Sequence, residues 1–277
     1  MIIGLVHQPD RLSPRALLAT TKTNASGPHG RDRFDVWLIP GSGSLAQRIR
    51  EATVVARRSV VRLLVVVAVT AIAVFAAITV AVTTNPSLAL DSRAFETADD
   101  LRAPWLDAAA KLITKLGLIA IVGSAVLLGA VLLFRRRHAL RAAALVFGAA
   151  LAWISVWITK RVVDRPRPPN PLVHTSGRSY PSAHAANSVG WLALAIALTV
   201  VIPARGARIT AIAAGALLAV LVGLSRIYLR AHYASDVFAG EALAVAMYAL
   251  ATIGVVTRQA RRESALSGPG APTSPPR

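Results

Sequence analysis

The most constraining feature of this sequence is a run of about 20 apolar residues, 63–82, that contains no charged side chain. This length matches the roughly 20 residues that an α-helix needs to cross the hydrocarbon core of a bilayer. Inside lipid, every backbone N–H and C=O group must be paired within the segment, so a helix is the conformation open to such a run. Residues 63–82 therefore predict a transmembrane helix.

Five more apolar runs follow, and charged residues lie mainly at their ends. The composition agrees, because 16% of the residues are charged and 55% are hydrophobic, whereas a soluble domain carries about 25% charged residues. This balance excludes an ordinary soluble protein and a disordered chain. We predict an all-α integral membrane bundle of six transmembrane helices. The six runs are residues 63–82, 116–134, 142–158, 185–202, 209–224 and 237–256.

The segments outside the bundle are polar or rich in Pro, Gly and Ser, as in the stretch 41–44. We predict that residues 1–58 form a basic, mostly disordered cytoplasmic tail and that residues 258–277 form a disordered cytoplasmic C-terminal tail. Residues 59–257 form the six-helix domain. Residues 95–112, between the first two runs, carry apolar side chains at helical spacing, which predicts either an amphipathic helix at the membrane interface or an extension of the second span.

The formal net charge is +18, a value typical of proteins that bind nucleic acid or anionic lipid, or of membrane topology signals. Aromatic residues make up 5% of the chain and do not alternate with basic ones, so we predict no nucleic-acid partner. Lys and Arg in short loops mark the cytoplasmic side of a membrane protein. Four basic segments, at 48–62, 135–141, 205–208 and 258–262, therefore predict a plasma-membrane protein with both termini in the cytoplasm.

The loops expected on the outer side differ from one another. The first is acidic, with five carboxylates against three basic residues between 91 and 111. The loop between the third and fourth runs is basic, and so is the short loop between the fifth and sixth, although both should lie outside. Basic residues on the disfavoured side indicate a use other than topology. They are Lys160, Arg161, Arg165, Arg167, Arg178, Arg226 and Arg230.

Three clusters in these outer loops have the chemistry of an oxyanion site. Arg can grip a phosphate with two parallel hydrogen bonds, and Lys acts as a point charge. Ser182 follows a proline and precedes an apolar run, which predicts a helix N-cap whose free N–H groups suit an anion. The clusters are Lys160 with Arg167-Pro168, then Pro181-Ser182-Ala183-His184, then Ser225-Arg226 with His232 and Asp236.

Two histidines and one carboxylate add acid–base chemistry to these cations. His232 and Asp236 are four residues apart, so on a helix they share a face and the carboxylate can fix the imidazole tautomer. His184 completes an acid–base pair near neutral pH. The site has no acidic cluster of the kind that holds magnesium or calcium, so we predict no metal and no cofactor. Taken singly, each cluster is as well explained by a turn, a cap or a surface histidine.

Together the clusters resemble the three signature motifs of the type 2 phosphatidic acid phosphatase family of membrane lipid phosphatases. The family pattern is Lys-x6-Arg-Pro, Pro-Ser-Gly-His and Ser-Arg-x5-His-x3-Asp. The first and third motifs match completely, and the second departs once, at Ala183. If that position needs a positive φ, alanine costs about 1 kcal/mol or more. If the position lies in the first turn of a helix, alanine is energetically favourable there.

The resemblance implies a mechanism and a site on the extracytoplasmic face. His232 attacks phosphorus to form a phosphohistidine, Asp236 orients His232, and His184 protonates the leaving oxygen and then activates water. The resemblance also implies that five residues hold the phosphoryl oxygens. They are Lys160, Arg167, Ser182, Ala183 and Arg226. The other basic residues, Arg161, Arg165, Arg178 and Arg230, are expected to contact a second phosphate, lipid headgroups or solvent.

The leading hypothesis is a phosphatase that acts on a lipid phosphate or diphosphate. Its expected partners are this substrate and the lipids of the membrane. We favour polyprenyl diphosphate as substrate, with phosphatidate, phosphatidylglycerol phosphate and diacylglycerol pyrophosphate as alternatives. A vanadium haloperoxidase could use the same residues, although the relatives of that kind are soluble. A non-enzymatic lipid binder would need the cations but not His184, His232 and Asp236.

Overall fold

The computed structural model describes residues 45–85 and 87–266 of the chain. All regular secondary structure in these two ranges is helical, as predicted. A 3-10 turn, Thr114–Gly117, joins the third helix to the fourth. The eight α-helices are α1 (Leu45–Thr84), α2 (Ala89–Asp100), α3 (Pro104–Ile113), α4 (Ile119–Arg135), α5 (Ala139–Val162), α6 (Ala183–Leu198), α7 (Arg205–Tyr228) and α8 (Ala234–Leu266).

Four of these helices are long and apolar enough to cross a membrane, namely α1, α5, α7 and α8. Helices α3 and α4 together form a fifth candidate span, bent by 48° at the break between them. The structure is therefore that of a multi-pass helical membrane protein with four or five candidate spans. The predicted fourth span is represented by α6, which at 16 residues is shorter than the roughly 20 that a full crossing needs.

Helix α6 ends at Leu198, four residues before the end of the apolar run that predicted it. The residues that follow, 199–202, are β-branched and lead into Pro203. A residue before proline avoids the helical region, so the helix cannot continue through Ile202, and residues 199–201 form a turn instead. Its position allows this length, because α6 packs against α4, α5, α7 and α8. Backbone groups beyond its ends are surrounded by protein rather than by lipid alone.

The first and last helices extend into the segments predicted as tails. Helix α1 begins at Leu45, so residues 45–58 are helical, and α8 includes residues 258–266. Neither stretch contains proline, and both are rich in Ala and Arg, which propagate a helix readily. The remaining tail residues, 1–44 and 267–277, lie outside the described part of the chain. The chain divides into two compact units, Met1–Arg62 and Leu63–Arg277, and the candidate site belongs to the second.

The first outer loop forms two helices where a single one was expected over residues 95–112. Helix α2 ends at Asp100, and Pro104 opens α3 at a position where proline is favoured because its missing N–H has no helical partner. Trp105 and Leu112 of α3 are 72% and 67% exposed. The predicted amphipathic helix is thus present in α3, and it also leads through a bend into the second span, so both alternatives hold in part.

The bundle places the ends of four helices together. Helices α5 and α7 end where α6 and α8 begin, because consecutive long helices run in opposite directions. Gly240 of α8 lies against the start of α6, and a Cβ atom there would be 2.5 Å from the carbonyl oxygen of Ser182. Only glycine permits this approach, which brings the second and third motifs into contact. The loop of residues 163–182, which carries the end of the first motif, closes the same side.

Candidate active site

His232 lies at the centre of the site, in the short turn between α7 and α8, and its side chain is 2% exposed. Its Nδ1 atom is 3.4 Å from Oδ2 of Asp236 and 3.4 Å from Oγ of Ser179. Its Nε2 atom is 3.2 Å from a terminal guanidinium nitrogen of Arg167. A guanidinium group can only donate, so Nε2 accepts and the ring proton resides on Nδ1. This tautomer leaves a lone pair on Nε2, directed towards the cation.

The surroundings of His232 keep the ring neutral. Burial lowers the pKa of His232 to about 4, and the neighbouring carboxylate of Asp236 opposes this shift. The positive charges of Arg167 and Arg226 lower the pKa further. At neutral pH the imidazole therefore carries no charge, and Nε2 keeps an unprotonated lone pair, which is the form that a nucleophile requires.

The Asp236 carboxylate is fully buried and its two oxygens are both occupied. Oδ1 accepts a hydrogen bond of 2.7 Å from Arg165. Oδ2 accepts a short hydrogen bond from Oγ of Ser179 and a 3.1 Å bond from the backbone N–H of Tyr233. Helix α8 begins at Ala234, so this carboxylate lies in the first turn, where the helix dipole favours negative charge. The side chain has one orientation, with Oδ2 towards His232.

Arg167 is held by backbone carbonyl groups. Its Nε and Nη2 atoms donate to the carbonyl oxygens of Ser176 and Gly177 at 2.8–3.1 Å, and Nη1 donates to that of Ala231 at 2.7 Å. Gly177 has a φ of +67°, a conformation that glycine adopts without steric cost. The turn at this glycine points the carbonyls inward. They fix the guanidinium beside His232 without a carboxylate that would cancel its charge.

Two more cations face the same space. Nζ of Lys160 donates to the carbonyl oxygens of Arg178 and Ser179, at 2.9 and 3.2 Å. Arg226 donates from Nη1 to Oγ1 of Thr114 at 2.8 Å. Its Nε is buried and has no hydrogen-bond partner in the described part of the chain. A buried donor without an acceptor is costly unless a ligand supplies one.

The three predicted phosphate-binding cations are close enough to repel one another. Lys160 is within electrostatic range of Arg167 and Arg226, and Arg226 is within range of Arg167. Neither Lys160 nor Arg226 forms an ion pair with a carboxylate of the described residues. Positive charge converging in this way attracts an anion.

The start of α6 contributes the second motif. Ser182 is the N-cap and its Oγ accepts a hydrogen bond from the N–H of Ala185 at 3.4 Å, so the predicted cap is present. Its own N–H donates to the carbonyl oxygen of Asp236 at 2.9 Å, which ties the second motif to the third. Ala183 is the first residue of the helix and has no positive φ. Alanine at this position is therefore accommodated in the first turn of a helix and costs no backbone strain.

His184 lies in the first turn of α6, half-buried, and its ring makes no hydrogen bond among the described residues. It is within electrostatic range of His232, Arg226, Arg167 and Lys160. Its backbone packs against Gly117, which also contacts Val222 of α7. The structure thus gathers all eight predicted site residues at one end of the bundle, and it leaves the His184 ring free of protein partners.

The start of α6 is recessed with respect to the end of α7. His184 lies beside Val222, and Oγ of Ser188, one turn further along α6, is 3.4 Å from the carbonyl oxygen of Ala219. Helix α7 continues to Tyr228. At 1.5 Å per residue, α6 therefore starts roughly 9 Å below the end of its neighbour.

The remaining basic residues of the outer loops are engaged elsewhere. Arg161 stacks on the ring of Trp157. Arg178 pairs with Asp164, and Arg230 pairs with Asp99. Each of these three cations therefore already has a protein partner.

The expectation for Arg165 was wrong, because this residue contacts neither headgroups nor solvent. Its side chain is 5% exposed and pairs with Asp91 and Asp236 at 2.7 Å each. Burial opposes its positive charge, but the two carboxylates outweigh burial and raise the pKa of Arg165. The sequence placed Arg165 in a basic loop and contained no signal that two carboxylates would surround it.

Sequence reasoning missed four polar residues that contact the predicted ones. Ser179 bridges His232 and Asp236, and Thr114 binds Arg226. Asp91 and Ser235 bind Arg165. Within residues 45–85 and 87–266, no group of three or more His, Cys, Asp or Glu side chains is arranged to hold a metal ion.

Comparison with known proteins gives a consistent result. The model of the PAP2 superfamily matches residues 141–260. Phosphatidylglycerophosphatase B of Bacillus subtilis (strain 168) is 32% identical over 187 residues, which are 64% of this chain and 88% of that protein. The crystal structure of a transmembrane PAP2-type phosphatidylglycerolphosphate phosphatase from Bacillus subtilis matches with a TM-score of 0.61 and 27% identity, over 70% of this chain and 96% of that one. LpxE of Aquifex aeolicus matches with a TM-score of 0.49 and 24% identity, over 60% of this chain and 96% of that one.

Proposed function

Because this chain belongs to the PAP2 superfamily, we propose that it removes a phosphate group from a membrane lipid through a covalent phosphohistidine, without a metal ion. Its relatives make it a membrane lipid phosphatase. The observation that carries the mechanism is the state of His232, a buried neutral imidazole whose Nε2 lone pair faces the Arg167 cation. Phosphoryl transfer depends mostly on positioning and charge stabilisation, and this chain supplies both.

The reaction proceeds in two displacements. In the first, Nε2 of His232 forms a bond to phosphorus and the bond from phosphorus to the lipid oxygen breaks. His184, which is neutral in the free site and takes up a proton beside the bound anionic phosphate, donates that proton to the lipid oxygen. In the second, His184 takes a proton from water, the resulting hydroxide attacks phosphorus, and the bond to Nε2 breaks to release inorganic phosphate. Asp236 accepts the hydrogen bond from Nδ1 throughout and stabilises the positive charge on the phosphorylated ring.

The charge of the site favours a single phosphate group. Four cations and two carboxylates leave two positive charges when both histidines are neutral. A phosphomonoester carries a charge of about −1.5 to −2 at pH 7, so one such group nearly neutralises the site. The helix N-terminus at Ser182 and Ala183 adds N–H donors. The charged groups are Lys160, Arg165, Arg167 and Arg226 with Asp91 and Asp236.

We therefore place a lipid phosphomonoester first among substrates, and phosphatidylglycerol phosphate first within that class. The names of both Bacillus subtilis proteins point the same way. Polyprenyl diphosphate, which the sequence favoured, is the second candidate. A diphosphate would need cations for its second phosphate, whereas Arg178 and Arg230 already pair with carboxylates.

The deciding experiment measures phosphate release by purified protein in detergent with EDTA present, on phosphatidylglycerol phosphate, phosphatidate and polyprenyl diphosphate in parallel. We expect release from the monoesters to be fastest, to persist in EDTA and to be lost in His232→Ala. The matched control is His174→Ala, an exposed histidine in the neighbouring loop, which should keep wild-type activity. Activity that survives in His232→Ala would overturn the mechanism, and faster release from the diphosphate would overturn the substrate order.

We also propose six crossings of the plasma membrane, with α3 and α4 as one bent span and α6 as a short one, and with the site on the outer face. The chain contains no cysteine, so single cysteines can report on topology. A membrane-impermeant maleimide should label Pro169→Cys in intact cells and label Arg136→Cys only after permeabilisation. Both positions are exposed, and the reverse pattern would contradict this orientation.

A further inference from the structure

A buried row of charged groups, Asp91–Arg165–Asp236, extends from the first outer loop to the centre of the site. We propose that Asp91 and Arg165 are positioning residues for the reaction. Arg165 fixes the carboxylate of Asp236, and Asp91 cancels the positive charge of Arg165. The three groups together carry one net negative charge, and His232 lies beside the Asp236 end of the row. This inference rests on the proposed role of His232 as nucleophile.

The contacts in the row are short and specific. One terminal nitrogen of Arg165 donates to Oδ1 of Asp236 at 2.7 Å, and the other donates to Oδ2 of Asp91 at 2.7 Å. All three side chains are at most 5% exposed. The guanidinium also lies over the ring of Tyr233, 4.0 Å from its centroid. Because Asp91 comes from α2 and Asp236 from α8, Arg165 ties the first outer loop to the catalytic carboxylate.

Ser235 completes the row by contacting both ends of the Asp91–Arg165 pair. Its backbone N–H donates to Oδ1 of Asp91 and its Oγ donates to Oδ2, each at 2.8 Å. The same Oγ accepts a 2.7 Å hydrogen bond from Arg165. The first turn of α8 has N–H groups without helical partners, and Asp91 satisfies one of them. Asp91 thus sets the position of the turn that carries Asp236.

The electrostatic role follows from the charges. Asp236 and Arg165 alone would form a neutral pair, and a neutral pair stabilises positive charge on His232 poorly. When Asp91 is included, the Asp91–Arg165–Asp236 row carries one net negative charge on the Nδ1 side of the His232 ring. The groups that face His232 from the other elements are Arg167 from the loop, Arg226 from α7, His184 from α6 and the uncharged Ser179. Without Asp91, His232 would have no net negative neighbour.

Simple anchoring of α2 would not need a buried carboxylate. Phe95 of the same helix is buried against Ala185 and Val237, and Asp99 pairs with Arg230 at its far end. These contacts already fasten α2 to α7 and α8. Burying an ion pair is expensive unless every hydrogen bond is met, and here the row meets each of them beside the nucleophile.

The test replaces Asp91 by asparagine, which keeps the shape and removes the charge. We expect kcat to fall by about 10- to 100-fold, the range for one hydrogen bond to a charged group, with little change in KM. Loss of a negative charge disfavours the protonated ring, so the pKa of His232 should fall and the acid limb of kcat/KM should move to lower pH. The matched control is Asp99→Asn, an exposed carboxylate on the same helix, which should leave rate and pH profile unchanged.

The double variant Asp91→Asn/Arg165→Gln separates charge from structure. Removing both charges leaves Asp236 as a lone carboxylate, so the acid limb should return towards its wild-type position even where the rate stays low. If both variants lose activity equally at every pH, the row is structural and the proposal is wrong.

A second readout does not depend on activity. Titration of ¹⁵N-labelled histidine by NMR, with the His232 signal assigned by its absence in His232→Gln, should show a lower His232 pKa in Asp91→Asn than in wild type. An unchanged pKa would overturn the inference even if the tested lipids were not substrates. Conversely, wild-type protein that releases no phosphate but shows the shift would overturn the proposed function and leave the electrostatic role of Asp91 standing.

Discussion

The two sides of the site differ in how completely their polar groups are paired. On one side, no buried side-chain nitrogen or oxygen of Asp236 or Arg165 lacks a hydrogen-bond partner in the described part of the chain, and Ser179 contacts both Asp236 and His232. On the other side, Nε of Arg226 has no acceptor, and the His184 ring makes no hydrogen bond within residues 45–85 and 87–266. The paired side positions the nucleophile, and the open side has unused donors where a phosphate would bind.

This difference indicates which quantity each residue controls. Groups whose partners are all protein hold one geometry in the free enzyme, so their loss lowers the rate of the chemical step. A cation without a partner, such as Arg226, gains one from the phosphate, so its loss also weakens binding of the phosphate in its ground and transition states. His184 acts on the leaving oxygen, so its loss lowers mainly the rate of the chemical step. Substitutions on the two sides should therefore separate in kcat and KM.

The largest effect on the open side is expected for His184→Gln. Loss of general acid–base catalysis typically costs about 10²- to 10⁴-fold in rate, while KM should change little. Rapid quenching with ³²P-labelled lipid should show phosphoenzyme if release of phosphate becomes slower than its transfer. His138→Gln, at the opposite end of the bundle between α4 and α5, serves as the control. A His184 variant with wild-type kcat would remove this residue from the mechanism.

The next effect is expected for Arg226→Gln, which removes the cation with the unpaired Nε. Loss of one donor to the developing charge costs about 10²- to 10³-fold in kcat, and here KM should rise as well. Thr114→Val, which removes the only described partner of the guanidinium, should have a smaller effect on the same two constants. A fall in kcat with KM unchanged for Arg226→Gln would mean that this side, too, acts only in the chemical step.

A smaller effect is expected on the paired side for Ser179→Ala. The variant removes one donor to Oδ2 of Asp236, and loss of one hydrogen bond to a charged group slows the reaction by about 10-fold or somewhat more. The rate should fall through kcat alone, because Ser179 faces the carboxylate and not the phosphate. Ser176→Ala, an exposed serine of the same loop that binds Arg167 through its backbone, is the control. A rise in KM would contradict the division between the two sides.

The smallest effect concerns the stability of the paired side in acid. The pKa of His232 is lowered to about 4 in the folded protein, against about 6.5 in an unfolded chain. The stabilising contribution of the neutral ring is complete above pH 6.5 and is lost progressively as the pH falls to 4, by roughly 3 kcal/mol at most. Thermal unfolding in detergent should show a steeper loss of stability over this window for wild type than for His232→Gln. Equal slopes would show that the ring is not held neutral.

The sequence predicts the residues of the three motifs better than the buried polar partners that orient them. Lys160, Arg167, Arg226 and His184 are all found in motifs with fixed spacing, and the N-cap at Ser182 follows from a proline before an apolar run. The helical class follows from the apolar runs in the same way, and the outer location of the three clusters stays a prediction from charge. Local patterns of this kind depend on neighbours along the chain.

The paired side depends on contacts between distant parts of the chain. Asp91 meets Ser235 across 144 residues and Ser179 meets Asp236 across 57, and no spacing rule links them. The length of α6 was also missed, because an apolar run measures hydrophobicity and not the restriction that Pro203 places on the backbone before it. The sequence therefore identifies the chemical groups but not the buried partners that orient them.

The recessed start of α6 has a consequence for how a lipid reaches the enzyme. Transferring an acyl chain from the bilayer to water costs about 0.8 kcal/mol for each methylene group, so lifting a substrate clear of the membrane would add more than 10 kcal/mol to every turnover. The start of α6, which carries Ser182, Ala183 and His184, lies roughly 9 Å below the end of α7, towards the apolar bodies of the helices. We therefore expect the lipid tails to stay in the bilayer while the headgroup reacts, so that the enzyme performs no work of extraction.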